Sequence, residues 1–113
     1  MVIEYIRYHI EDASRREPFE AAYGQAAGAL TASPHCLGFE LSRCEEDSAW
    51  YMLRIEWDST DGHMQGFRRS AEFRSFFQSV SPFVSAIQEM RHYAVTRVTS
   101  AAVDAPGDRG RPA

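Results

Sequence analysis

The stretch "CLGFELSRCEEDSAWYMLRIEWD" (residues 36–58) decides the fold. In its first part Leu37, Phe39 and Leu41 alternate with Gly38, Glu40 and Ser42. In its second part Tyr51, Leu53, Ile55 and Trp57 alternate with Trp50, Met52, Arg54 and Glu56. A period of two is the signature of a strand with one buried face. The polar "EEDS" between the halves is a turn, so the spacing predicts a β-hairpin of strands 36–44 and 49–58.

Upstream, "VIEYIRYHI" (2–10) is rich in β-branched and aromatic residues and reads as another strand. Val2, Ile6, Tyr8 and Ile10 share a face with Glu4, and Ile3, Tyr5, Arg7 and His9 share the other, so both faces meet something. Ser14 and Glu17 have the form of a capping box, and Pro18 fits only a first helical turn. Phe19, Tyr23, Ala26, Ala27 and Leu30 follow at helical spacing until Ser33-Pro34 stops them.

Downstream, Asp58 or Ser59 caps a helix to about Arg69, and Ser70 caps a second one. Phe73, Phe76, Phe77, Val80, Val84 and Ile87 keep its spacing, with Pro82 forcing a bend or restart. "MRHYAVTRV" (90–98) is a last strand. The order β-α-β-β-α-β predicts an α+β ferredoxin-like domain over residues 1–98, a four-stranded antiparallel sheet with helices on one face. Residues 99–113 lack periodicity and read as a disordered tail. The second face would still carry aromatics such as Tyr5 or Trp50, a patch that a two-fold sheet-on-sheet dimer would cover.

With 113 residues there is room for one core. A net charge of −4 gives no reason to expect nucleic acid or an anionic membrane as partner. All basic residues are arginine, which removes Schiff-base lysine chemistry. No basic n-region with a long apolar run occurs, which points to the cytoplasm. Cys36 and Cys44 end the same strand, roughly 25 Å apart in extended chain, and so are free thiols.

Trp57 and His63 lie at a strand-to-helix junction that can aim both at the space between sheet and helices. An indole offers a stacking wall and one N–H, and an imidazole can take a phenolic proton. A core tryptophan beside a helix-start histidine is the plainer alternative. Arg74, beside the phenylalanine stripe, can hold a ligand oxygen as a fixed cation or simply lie along a helix edge. Arg68 and Arg69 read as a solvated face. His35, Cys36 and Cys44 match no compact metal spacing. His9 and His92 would be neighbours if their strands pair, and with Glu40 or Glu56 could hold a metal. Arg54 and Glu56 share a face and are expected to form an ion pair.

The run "YMLRIEWDSTDGHMQGFRRSAEFRSFF" (51–77), framed by "VIEYIRYHI" (2–10) and "MRHYAVT" (90–96), resembles the antibiotic biosynthesis monooxygenase family over about residues 2–98. The resemblance carries strand, Trp-acid-Ser, an aromatic or histidine, then Ser-x-x-apolar-Arg. It implies the dimeric ferredoxin-like α/β barrel and oxidation of a planar phenolic, quinol or anthrone-type substrate by O₂ without metal, flavin or other cofactor. Trp57 matches the family's pocket tryptophan and Arg74 its second-helix arginine, and His63 stands where the quinone-forming members have tyrosine. Leu53 stands four residues before the tryptophan, where those members have asparagine, and it cannot donate a hydrogen bond.

The resemblance thus implies Trp57, His63 and Arg74 as catalytic residues, with Tyr5, Tyr23, Leu53, Phe67, Phe73 and Phe77 around the substrate and no metal ligands. Relatives that degrade haem use a strand-one asparagine and a helix tryptophan that this chain lacks. The alternative reading is a non-catalytic module of the same fold that binds a hydrophobic ligand or docks a haem protein.

Overall fold

The computed structural model describes residues 1–100. Most of the segment read as a tail, residues 101–113, lies outside the described residues. Strands β1 (Val2–His9), β2 (Cys36–Arg43), β3 (Trp50–Trp57) and β4 (Ile87–Ala94) form one sheet in the order β2-β3-β1-β4. All its neighbours are antiparallel. Helices α1 (Arg16–Ala32) and α2 (Ala71–Val80) complete the ferredoxin-like α+β order.

The hairpin forms because β2 and β3 are closed by a short polar turn, in which Trp50 N–H donates to the Asp47 carbonyl at 3.1 Å. Tyr51, Leu53, Ile55 and Trp57 are all buried, as their alternation requires. The β2 pattern breaks at Leu37. Cys36 pairs with Trp57 and Gly38 with Glu56, so Leu37 is the extra residue of a bulge and is exposed. Val2, Glu4, Ile6, Tyr8 and Ile10 face the core together.

Phe19, Tyr23, Ala26 and Leu30 are the buried stripe of α1. The capping box does not form. Asp12 instead accepts from Ser14 N–H and opens a short 3₁₀ turn, Ala13–Arg15, before α1 begins. Ser70 does cap α2, accepting from Phe73 N–H at 3.2 Å. Beyond Val80 the chain tightens into a 3₁₀ turn, Ser81–Ala86, around Pro82. That turn shifts the helical register, so Phe83 rather than Val84 enters the core, and Ile87 opens β4 instead of continuing the stripe. The last strand therefore begins earlier and ends sooner than the 90–98 reading.

The helix expected after β3 is not one helix. Ser59 Oγ accepts from Gly62 N–H at 2.8 Å, and the chain then winds through a π-helical turn, Gly62–Gly66, and a 3₁₀ turn, Phe67–Arg69. Short π segments gather at functional sites. This one carries His63.

Candidate functional site

Four side chains from three elements and the strand-to-helix connection meet in the core. Glu4 projects inward from the middle of β1, Trp57 ends β3, His63 comes from the π turn, and His92 lies opposite Glu4 on β4. Trp57 Nε1–H donates to Glu4 Oε1 at 3.0 Å. The His63 ring stacks on the indole, centroids 4.4 Å apart and planes within 11°. Its Nε2 lies 3.5 Å from Glu4 Oε1 and its Nδ1 2.7 Å from His92 Nε2. Trp57, Glu4 and His63 are buried, and His92 is half-buried. A line of close polar contacts, hydrogen-bonded between the two imidazoles, thus runs from the buried Glu4 carboxyl through a buried imidazole to one near solvent.

Burial disfavours charge on both central groups. It pushes the Glu4 carboxyl above its usual range, partly offset by the Trp57 hydrogen bond and the Arg68 charge. It holds His63 down to about 4, helped by the neighbouring His92 and Arg68. His63 is therefore a neutral base with its proton-accepting form present at neutral pH.

These shifts set a pH signature of stability. His63 takes a proton near 6.5 when unfolded but only near 4 when folded, so its contribution is lost as pH falls from 6.5 to 4. Glu4 acts oppositely: its raised value makes the folded state lose stability as pH rises above 4.5. Urea midpoints across pH 4–7 are expected to fall toward acid more steeply in the native protein than in His63→Gln. Parallel curves would mean that His63 is not held neutral.

The π turn is clamped from outside. His35 Nδ1 pairs with Asp58 Oδ2 at 2.9 Å, and the His35 ring lies over Gly66, where an added Cβ would meet its Nε2 at 2.4 Å. Gly66→Ala is thus expected to cost about 1–3 kcal/mol through overpacking. Removing the ring as well, in His35→Ala/Gly66→Ala, should recover part of that loss; equal stability of the single and double variants would exclude the clash.

The other candidate residues scatter. Phe67 is buried against Trp57, ring centroids 5.0 Å apart, and touches Phe73 edge-on. Phe77 is 44% exposed. Arg74 is exposed on α2, with no hydrogen bond or ion pair to the described residues. Tyr5 lies on the opposite face of the sheet, edge-on to Tyr93, and so does not share a wall with Tyr23 in one chain. Leu53 is fully buried between Ile6 and Leu41. Tyr23 and Tyr8 share a hydrogen bond between their hydroxyls.

The His9–His92 pairing does not occur. β1 and β4 do pair, but in a register that sets His92 against Glu4, while His9 faces the other way and lies tilted against Trp50, ring centroids 4.3 Å apart. Glu40 and Glu56 are turned to Arg54, Glu56 at 2.7 Å, the ion pair expected from their shared face.

A cleft of about 410 Å³ opens between α1 and the β2–β3 hairpin, lined by Tyr23, Phe39, Leu41 and Tyr51, with Glu20 and Arg43 among its polar residues. Glu20 Oε2 accepts from Tyr51 Oη at 2.6 Å and from Arg43 at 2.8 Å. An aromatic run, Tyr23–Phe76–Phe67–Trp57, joins the cleft to His63 with successive centroids 5.0–6.0 Å apart.

Fold and site together define a ferredoxin-like α+β protein with a polar cluster sealed in an aromatic core. The family model described as "antibiotic biosynthesis monooxygenase" matches residues 1–79, and the chain belongs to that family. YczJ of Bacillus subtilis (strain 168), itself uncharacterised, is 30% identical over 93 residues, 82% of this chain and 97% of its own. A Bordetella bronchiseptica crystal structure assigned to antibiotic biosynthesis monooxygenase is 26% identical, with a TM-score of 0.70 over 84% of this chain and 96% of its own. SnoaB, a cofactor-independent oxygenase from Streptomyces nogalater, shares the fold at 17% identity, with a TM-score of 0.66 over 88% of this chain and 95% of its own.

Glu4 is the member of the site that sequence reading missed, and His92, read there as a partner of His9, belongs instead beside Glu4 and His63. Glu4 was legible as the one acid on an otherwise apolar strand face, a position that asks for a partner.

Proposed function

We propose that this chain is a cytoplasmic, cofactor-independent monooxygenase that oxidises a planar phenolic, quinol or anthrone-type substrate with O₂. The observation that carries this reading is the line Glu4–His63–His92, a buried proton acceptor with a route toward solvent through a half-buried partner. Family membership supports it.

The substrate enters by the cleft at Tyr23 and Tyr51 and wedges along the aromatic run, displacing Phe67 and Phe76, until its phenolic oxygen meets His63. His63 takes the proton and passes one through His92. Trp57 keeps the imidazole plane fixed, and Arg74 swings in to hold the anion. The substrate anion then reduces O₂. One oxygen atom enters the ring carbon as a carbonyl, and the other leaves as water, so an anthrone methylene becomes a quinone without an external reductant. Water excluded from this core favours electron transfer from the anion over its reprotonation.

The experiment is oxygen uptake by metal-stripped protein offered anthrones, naphthohydroquinones and simple quinols. Uptake above the protein-free rate, matched by quinone formed, is the expected result. No uptake across the panel would exclude the reading.

A second reading, a binding module for a hydrophobic ligand or a haem protein, is favoured by one observation. Trp57 N–H is already bonded to Glu4, and Leu53 offers no donor, so the family's polar contacts to substrate are absent from these two positions. Tryptophan quenching by the same compounds without oxygen uptake would select it.

A homodimer through the outer sheet face is part of the proposal. Tyr5, Met52 and Tyr93 lie there, with Arg7 over the Trp50 ring at 5.1 Å. Sedimentation is expected to give twice 12.8 kDa, and Met52→Glu to shift it to the single mass. A monomer in the unsubstituted protein would overturn this part.

A further inference from the structure

The described residues hold one group of three side chains whose chemistry exceeds proton transfer. One donor atom each from Glu4, His63 and His92 lies within 4.8 Å of the other two. We propose that these three residues form a binding site for a divalent transition ion of the zinc class, and that its occupancy switches off the proton acceptor of the oxidation. The second half rests on the function proposed above; the first does not.

The donor set selects the ion. Two imidazoles and one carboxylate suit zinc, cobalt, nickel or iron, whereas calcium and magnesium require more oxygen donors. Zinc bonds to such ligands are about 2.0–2.2 Å long, which for a tetrahedral ion puts donors about 3.3 Å apart. The 2.7 Å contact to His92 uses His63 Nδ1 and the 3.5 Å contact to Glu4 uses its Nε2, and only one nitrogen of the ring can bind a given ion. With one donor atom from each residue within 4.8 Å of the other two, the ion would draw the donors together by up to about 1.5 Å and replace one of those two contacts.

The surroundings have the form of a metal site's support. Trp57 N–H orients the carboxylate, and its ring holds the imidazole in plane; partners of this kind tune affinity. Half-buried His92 provides the access path from solvent. The three ligands come from β1, the π turn and β4, so the site exists only in the folded chain.

The consequence for the reaction follows from lone pairs. A neutral imidazole whose one lone pair is bound to zinc has none left to accept a proton, so an ion on His63 removes its action as a base. Metal occupancy and proton transfer are therefore alternatives at the same atoms.

The test uses chelator-treated full-length protein titrated with Zn²⁺ against a chromophoric indicator. One saturable equivalent is expected, weakened at least about tenfold in Glu4→Gln and in His92→Gln. Titration of the unsubstituted protein with Co²⁺ needs no variant, and should give the intense visible bands of a low-coordinate nitrogen–oxygen site. No saturable binding, or affinity unchanged in both variants, would overturn the site. Zn²⁺ should then abolish oxygen uptake at one equivalent, with recovery on adding chelator. Uptake unaffected or raised by bound Zn²⁺ would overturn the switch and leave the site. A protein that binds Zn²⁺ but takes up no oxygen under any condition would instead overturn the oxygenase.

Discussion

His63→Ala is expected to lower kcat for the O₂-dependent oxidation by about 10²–10⁴-fold, the usual contribution of a positioned general base. The expectation follows from where the imidazole sits. It lies flat on Trp57, between a carboxylate and a second imidazole, with water kept away. Glu4 does not replace it, because burial holds that carboxyl toward its neutral form. A loss of activity through misfolding must be told apart from a loss of base. The alanine leaves an imidazole-sized space against the indole, so added imidazole should restore part of the rate to a folded variant. A twofold loss or less would remove His63 from the chemistry, and a large loss with no rescue would make its role structural.

Phe19→Ala is expected to cost about 3–5 kcal/mol, as for a large aromatic deleted from a closed core. Phe19 is fully buried and lies within 4.8–5.3 Å, centroid to centroid, of Tyr8, Tyr23, Tyr51 and Phe83. These rings come from β1, α1, β3 and the 3₁₀ turn before β4. One side chain thus ties both halves of the domain, and neighbours fixed by their own edge contacts cannot collapse into the gap. For a domain of this size Tm would fall by roughly 12 °C or more, readable by calorimetry. A fall under a third of that would mean that the core closes over the vacancy.

The strands and helices were legible because alternation and helical spacing report one-sided burial directly. Tyr51, Leu53, Ile55 and Trp57 could be assigned to the core from their period alone. Register was not legible. Nothing in the spelling of β1 and β4 says that His92 stands opposite Glu4 rather than near His9, since pairing is set by packing of the completed sheet. The proximity of Trp57 and His63 could be anticipated from the junction between them, but their mutual stacking could not. It depends on the π turn, whose sequence GHMQG carries no pattern that distinguishes it from an ordinary helix. Leu37 and Val84 were misplaced for one reason: a bulge and a 3₁₀ turn each shift a periodic run by one position.

That wide turn has a consequence for how the chain can vary over generations. Between Trp57 and Phe67 the span is fixed by winding, because loss of one residue would restore α geometry and carry the imidazole about 100° around the axis. Met64 and Gln65 point outward, and their identities are free to drift. Selection here acts on length before spelling. A single-codon deletion would therefore be more damaging than several simultaneous replacements, and homologous segments should be compared by their count of residues rather than by their letters.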